Sequence, residues 1–128
     1  IHSSEPVGHM YPGKGTAYPE NIYKFIKLFP DNTIILAHWG GGLLFYELMK
    51  EVKEISKNVY YDTAASSFLY NPKIFELAID IVGSEKIIFG SDFPILSPKR
   101  ILNEMKNLKE QDLMNITEKN IKNILNLN

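Results

Sequence analysis

Short continuous apolar runs alternate along the chain with longer segments whose apolar residues recur every three or four positions. Residues 33–37, Thr-Ile-Ile-Leu-Ala, follow Pro30-Asp31-Asn32 and predict a strand buried on both faces. Val59-Tyr60-Tyr61 and Lys86-Ile87-Ile88-Phe89 are similar runs, rich in β-branched or aromatic residues, and each follows a polar turn. Ile1 reads as the last residue of an earlier strand.

The intervening segments have helical spacing. Residues 19–29 place Ile22, Phe25, Ile26 and Phe29 on one stripe between Pro19 and Pro30. Residues 44–57 do the same with Leu44, Leu48, Val52 and Ile55. Asn71-Pro72 is a helix-start signal ahead of Ile74, Leu77, Ala78 and Ile81, and Ser97-Pro98 repeats it ahead of Ile101, Leu102, Met105 and Leu108. A last helix is expected from Thr117, with Ile116 and Ile121 as its hydrophobic staple. Strands and helices in alternation specify an α/β fold around a parallel sheet.

Composition narrows the function classes. A chain of 128 residues with 45% hydrophobic and 23% charged residues is one globular unit, 1–128, with no linker. No apolar run approaches the ~20 residues of a membrane span. A net charge of −1 offers no electrostatic attraction for nucleic acid or an anionic membrane. With no cysteine, disulfides, cysteine-ligated metal centres and thiol nucleophiles are excluded, which fits a cytoplasmic location. The opening Ile1-His2-Ser3-Ser4-Glu5-Pro6 carries neither an initiator Met nor a leader, so the chain reads as part of a larger protein.

In parallel α/β folds, chemistry collects where strands end. The residues there are His2 after Ile1, His38 after Ala37, Asp62 after Tyr61, and Asp92 after Phe89-Gly90-Ser91. Each alone has an ordinary explanation as a turn or capping residue. Together they put imidazoles and carboxylates, the nitrogen and oxygen ligands of a divalent metal, at one end of the sheet. Rival motifs are weaker. Gly8 to Lys14 matches the G-x4-G-K part of a phosphate loop, but Gly15 stands where the metal-binding hydroxyl belongs and Pro12 removes a backbone donor. Gly40-Gly41-Gly42 lacks dinucleotide-loop spacing and suits a tight turn beside His38. No G-x-S-x-G elbow supports a serine hydrolase.

The segments around Ile1–His9, Ile35-Leu36-Ala37-His38-Trp39-Gly40-Gly41, Tyr60-Tyr61-Asp62 and Ile88-Phe89-Gly90-Ser91-Asp92-Phe93-Pro94 resemble the amidohydrolase-related family, as does the ending 116–125. These are metal-dependent hydrolases and nonoxidative decarboxylases on a TIM barrel. The resemblance implies strands five to eight of a (β/α)8 barrel with their helices, the N-terminal half being absent. It implies His2, His38 and Asp92 as metal ligands, with Asp92 as general base and His38 also polarising substrate or shuttling protons. It places His9, Lys14 and Trp39 as substrate contacts and leaves Asp62 without an assigned role. The family's first-strand H-x-H pair is missing, so the ligand set is incomplete.

The cofactor expected from the resemblance is a divalent ion, zinc first, with manganese or another ion as the alternative. The leading expectation is hydrolysis of an amide, ester or lactone of a small carbonyl compound by a metal-activated water. The alternatives are decarboxylation of a small carboxylic acid at the same site, or an inactive half-barrel that acts as a structural or dimerising unit. Expected partners are a small-molecule substrate and further copies of the chain, associating through open sheet edges; neither nucleic acid nor membrane is expected.

Overall fold

A computed structural model describes residues 1–8 and 10–127. Three short strands, β1 (Ile34–Leu36), β2 (Val59–Asp62) and β3 (Ile87–Ile88), form a parallel sheet in the order β1-β2-β3. The register pairs Leu36 with Tyr61 and Asp62 with Ile88. Ile1 extends this ladder beyond β1: its nitrogen donates to Ile35 O at 2.7 Å and its carbonyl accepts from Ala37 N at 2.9 Å. That alternation around Leu36 is parallel pairing, so Ile1 lies opposite Leu36 and His2 leaves its strand one residue before the level of His38. The α/β expectation holds, with consecutive strands as neighbours.

Helices cover the sheet. They are α1 (Pro19–Leu28), α2 (Leu43–Tyr46), α3 (Lys50–Ile55), α4 (Ser66–Leu69), α5 (Ile74–Val82), α6 (Pro98–Glu104), α7 (Glu110–Met114) and α8 (Asn120–Ile124). Among the described residues, no helix is long and apolar enough to cross a membrane. The core gathers Ile22 and Ile26 of α1, Leu36, Val59, Tyr61 and Ile87 of the strands, Phe75 and Ala78 of α5, and Ile101, Met105 and Ile116.

Three elements differ from the sequence expectation. The single helix expected over 44–57 is two, because Met49 is extended (φ −83°, ψ 125°) and Glu47 turns inward to accept the Tyr61 hydroxyl hydrogen at 2.6 Å. Leu48 consequently leaves the predicted stripe and is exposed. In α5 the buried face is Ile74, Phe75 and Ala78, while Leu77 lies outside.

The last helix starts at Glu110, seven residues before Thr117, whose hydroxyl instead donates to Leu113 O within the helix. Residues Asn115–Lys119 form a π-helical turn joining α7 to α8. Ile116 O accepts from Phe89 N at 2.9 Å, so the widened turn lends a carbonyl to the end of β3. Asn120 reinforces that junction by donating to both Ser84 O and Ile87 O.

Candidate functional site

The chain leaves β1 in a left-handed turn. His38, Trp39, Gly40, Gly41 and Gly42 all have φ between 57° and 91°. Glycine occupies this region freely, whereas His38 and Trp39 each cost about 1–2 kcal/mol there. Close approach makes the glycines necessary for a second reason. A Cβ on Gly40 would lie 2.9 Å from the Tyr61 ring, and one on Gly41 would lie 2.4 Å from Ser4 O.

The strain is held by anchors. Trp39 is fully buried, and its indole nitrogen donates to Ser66 Oγ at 2.7 Å. Ser66 Oγ donates in turn to Thr63 O at 2.6 Å. His38 N donates to Asp62 Oδ1 at 2.9 Å. Residues in sparsely populated backbone regions persist where surrounding contacts over-determine them, and they cluster at functional sites.

This turn brings two predicted site residues together. The rings of His2 and His38 lie 5.0 Å apart, nearly perpendicular at 77°. His38 is buried at 8% exposure, while His2 is exposed with its Nε2 3.3 Å from Ser4 Oγ. Ser4 Oγ also accepts Gly15 N at 3.2 Å, which ties the far side of the first loop to the His2 strand end.

Asp62 lies directly beside His38. Its Oδ1 accepts from both His38 N and Ala64 N, each at 2.9 Å. Burial pushes its carboxyl above the usual range, against the lowering effect of those two backbone donors. Thr63 closes the neighbouring strand ends: its hydroxyl donates to Gly90 O at 2.8 Å and accepts Gly90 N at 3.0 Å.

Asp92 sits on the loop after β3 with φ 70°, and its carbonyl accepts from Ile95 N and Leu96 N. Among the described residues, no three His, Asp or Glu side chains converge closely enough to hold one metal ion. The structure therefore assembles His2 and His38 but does not draw Asp92 into a three-ligand group with them. Two imidazoles are donors a divalent ion accepts, and the His2–His38 pair fits one side of such a centre.

Of the expected substrate contacts, His9 lies outside the described residues. Lys14 bonds within its own loop, to Val7 O at 3.0 Å, and lies over the Tyr11 ring. Trp39 is placed in the core, edge-on to Phe75, with no exposed surface. The sequence reading missed Ser4 and Thr63, which clamp the loops, and left Asp62 unassigned. Their signal was position alone, small polar residues next to the strand-end histidines and aspartates. An apolar groove of about 460 Å3 lined by Pro19, Tyr23, Leu43, Tyr46, Met49 and Val52 contains none of these residues.

The family described as amidohydrolase matches residues 6–128. No curated protein matches the sequence. Several solved structures share its fold. The 5-carboxyvanillate decarboxylase from Sphingomonas paucimobilis is 15% identical with a TM-score of 0.76, over 100% of this chain and 49% of its own. A dihydroxybenzoic acid decarboxylase from Polaromonas, with bound manganese and the inhibitor 2-nitroresorcinol, is 19% identical with a TM-score of 0.71, over 85% and 40%. An amidohydrolase from Burkholderia multivorans with bound zinc is 13% identical with a TM-score of 0.65, over 86% and 49%. The chain thus spans half or less of the length of each of these structures, and at such identities the likeness is one of fold.

Proposed function

The chain belongs to the amidohydrolase family, and from that premise we propose that the whole protein is a metal-dependent enzyme that removes carbon dioxide from a small aromatic carboxylic acid. In this reading the chain supplies strands five to eight of an eight-stranded barrel, and the remaining metal ligands come from the other half. The observation that carries the proposal is the His2–His38 pair, two imidazoles 5.0 Å apart at adjacent strand ends. The choice of decarboxylation is supported by the Sphingomonas and Polaromonas neighbours, which are decarboxylases of aromatic acids.

His2 and His38 would hold the ion, with Asp92 moving in from the loop after β3. When bound, a divalent ion supplies Lewis-acid polarisation of the substrate's oxygen atoms. The protein's own part is positioning and proton transfer. The bond from the ring carbon to the carboxylate breaks, the carbon keeps the electron pair and takes a proton, and carbon dioxide leaves. Asp92, with His38, would hold and deliver that proton. Lys14, with His9, would meet the substrate's anionic end from the first loop.

Hydrolysis of an amide, ester or lactone is the second reading, favoured by the zinc-bearing Burkholderia amidohydrolase among the neighbours. Metal content of the purified whole protein is measured first. The protein is then stripped with chelator, reloaded with manganese or zinc, and assayed on hydroxybenzoates for carbon dioxide and on lactones for ring opening. Metal-restored carbon dioxide release is expected, and it should vanish in His38→Gln. Lactone opening without carbon dioxide selects the second reading. A protein that binds no metal and turns over neither class refutes both.

A further inference from the structure

We propose that Asp62 is a positioning residue that sets the tautomer of His38 through the backbone of Ala64, so that Nδ1 carries the proton and Nε2 keeps its lone pair. Ala64 O lies 3.2 Å from His38 Nδ1. A carbonyl oxygen only accepts, so a hydrogen bond between them needs the hydrogen on Nδ1. In a neutral imidazole the other nitrogen is then the acceptor, available to a metal or a proton.

What keeps Ala64 O in that place is Asp62. One oxygen, Oδ1, accepts from Ala64 N and from His38 N, so a single atom fixes the carbonyl-bearing residue and the backbone of the histidine. Gly90 of the loop after β3 passes beside this carboxyl, where an added Cβ would meet its Cγ at 3.4 Å, an ordinary contact. Beyond Ala64 the chain enters a left-handed residue, Ala65 at φ 59°, and the Ser66 hydroxyl bonds back to Thr63 O. The Ala64 peptide is thereby held from both sides. Outer partners of this kind orient a ligating histidine and commonly change metal affinity when removed.

The use of Nε2 rests on the metal-dependent reading above; the tautomer itself does not. The test is 15N–1H correlation of the histidine rings in the metal-free whole protein at about pH 8, above imidazole's ordinary ~6.5. The His38 signals are assigned by their loss in His38→Gln. A protonated Nδ1 and an unprotonated Nε2 are expected. Asp62→Asn keeps an oxygen acceptor and should keep the tautomer, with metal affinity within about threefold, whereas Asp62→Ala should mix the tautomers and weaken metal about 10- to 100-fold.

A wild-type His38 protonated at Nε2 overturns the proposal, as does an unchanged Asp62→Ala spectrum. So does Asp62→Asn losing metal as fully as Asp62→Ala, because the charge and not the acceptor geometry would then matter. If Asp62→Ala does not fold, the wild-type and Asp62→Asn spectra still decide. The expected tautomer in a protein without turnover would sink the proposed reaction and leave this inference standing.

Discussion

Gly41 and Gly42 are adjacent, both left-handed, and should respond very differently to a methyl group. At Gly41 (φ +61°) an added Cβ would sit 2.4 Å from Ser4 O, 2.7 Å from Ser4 C and 3.0 Å from Ser4 N, all backbone atoms that cannot swing aside. At Gly42 (φ +91°) the nearest atoms are the Tyr70 hydroxyl at 3.5 Å and Phe45 Cδ2 at 3.8 Å, ordinary contacts. Left-handed backbone costs an L residue about 1–2 kcal/mol in both places. Overpacking adds about 1–3 kcal/mol at Gly41 alone.

Gly42→Ala should therefore lose about 1–2 kcal/mol and Gly41→Ala about 2–5 kcal/mol. Urea unfolding of the whole protein, followed by circular dichroism, reads the difference as a shift in midpoint at constant slope. Because Ser4 belongs to the loop that follows His2, Gly41→Ala should also weaken metal binding, while Gly42→Ala should not. Two variants within about 0.5 kcal/mol of each other, the usual scatter of innocuous substitutions, would refute the steric reasoning.

Other substitutions test other parts of the fold. Burial raises the Glu47 carboxyl above its ordinary value of 4.5, partly countered by the Tyr61 hydroxyl and by Lys86 and Lys53. A raised folded value means its stabilising contribution is complete below pH 4.5 and is lost as pH rises through the folded value. Glu47→Gln keeps an acceptor for Tyr61 without the titration, so its stability relative to wild type should grow as pH climbs from 4.5; a constant difference across that range contradicts the assignment. Trp39→Phe removes the donor to Ser66 Oγ and should cost about 2–4 kcal/mol. If melting is unchanged and only KM rises, Trp39 is a substrate contact and not a core anchor. Asn120→Ala leaves Ser84 O and Ile87 O without their buried donor and should cost about 2–4 kcal/mol, with faster amide exchange along β3 and α8. Protection that stays uniform would show that the helix is not fastened to the sheet there.

Local pattern carried the strands well. The runs at 33–37 and 59–61 do form β1 and β2, but only Ile34, Leu36, Val59 and Tyr61 are buried. Ile35 and Tyr60 on the other face are half-buried, not buried on both faces as the continuous apolar stretches predict. It failed where one tertiary bond outweighed periodicity. Glu47 is drawn in by the Tyr61 hydroxyl from β2, which splits the helix expected over 44–57 and expels Leu48. The π turn before α8 depends on Phe89 needing a carbonyl at the end of β3, a demand set 27 residues away and invisible in the helix's own spacing.

The candidate site divides in the same way. Residue type and position after each strand singled out His2, His38, Asp62 and Asp92, because a parallel sheet puts every strand's carboxyl end on one side. Three glycines after Trp39 also announced a tight turn. By itself, then, the sequence determined the α/β class, the parallel direction of the strands and the chemical types gathered at one end. Only tertiary structure decided which of them meet. The left-handed turn sets His38 against His2 and sends Trp39 into the core, and Asp62 spends one oxygen on two backbone donors. The reason is physical: spacing along the chain records which face a residue takes, whereas a contact between loops is settled by backbone dihedrals and by buried hydrogen-bond groups that must find partners across the fold.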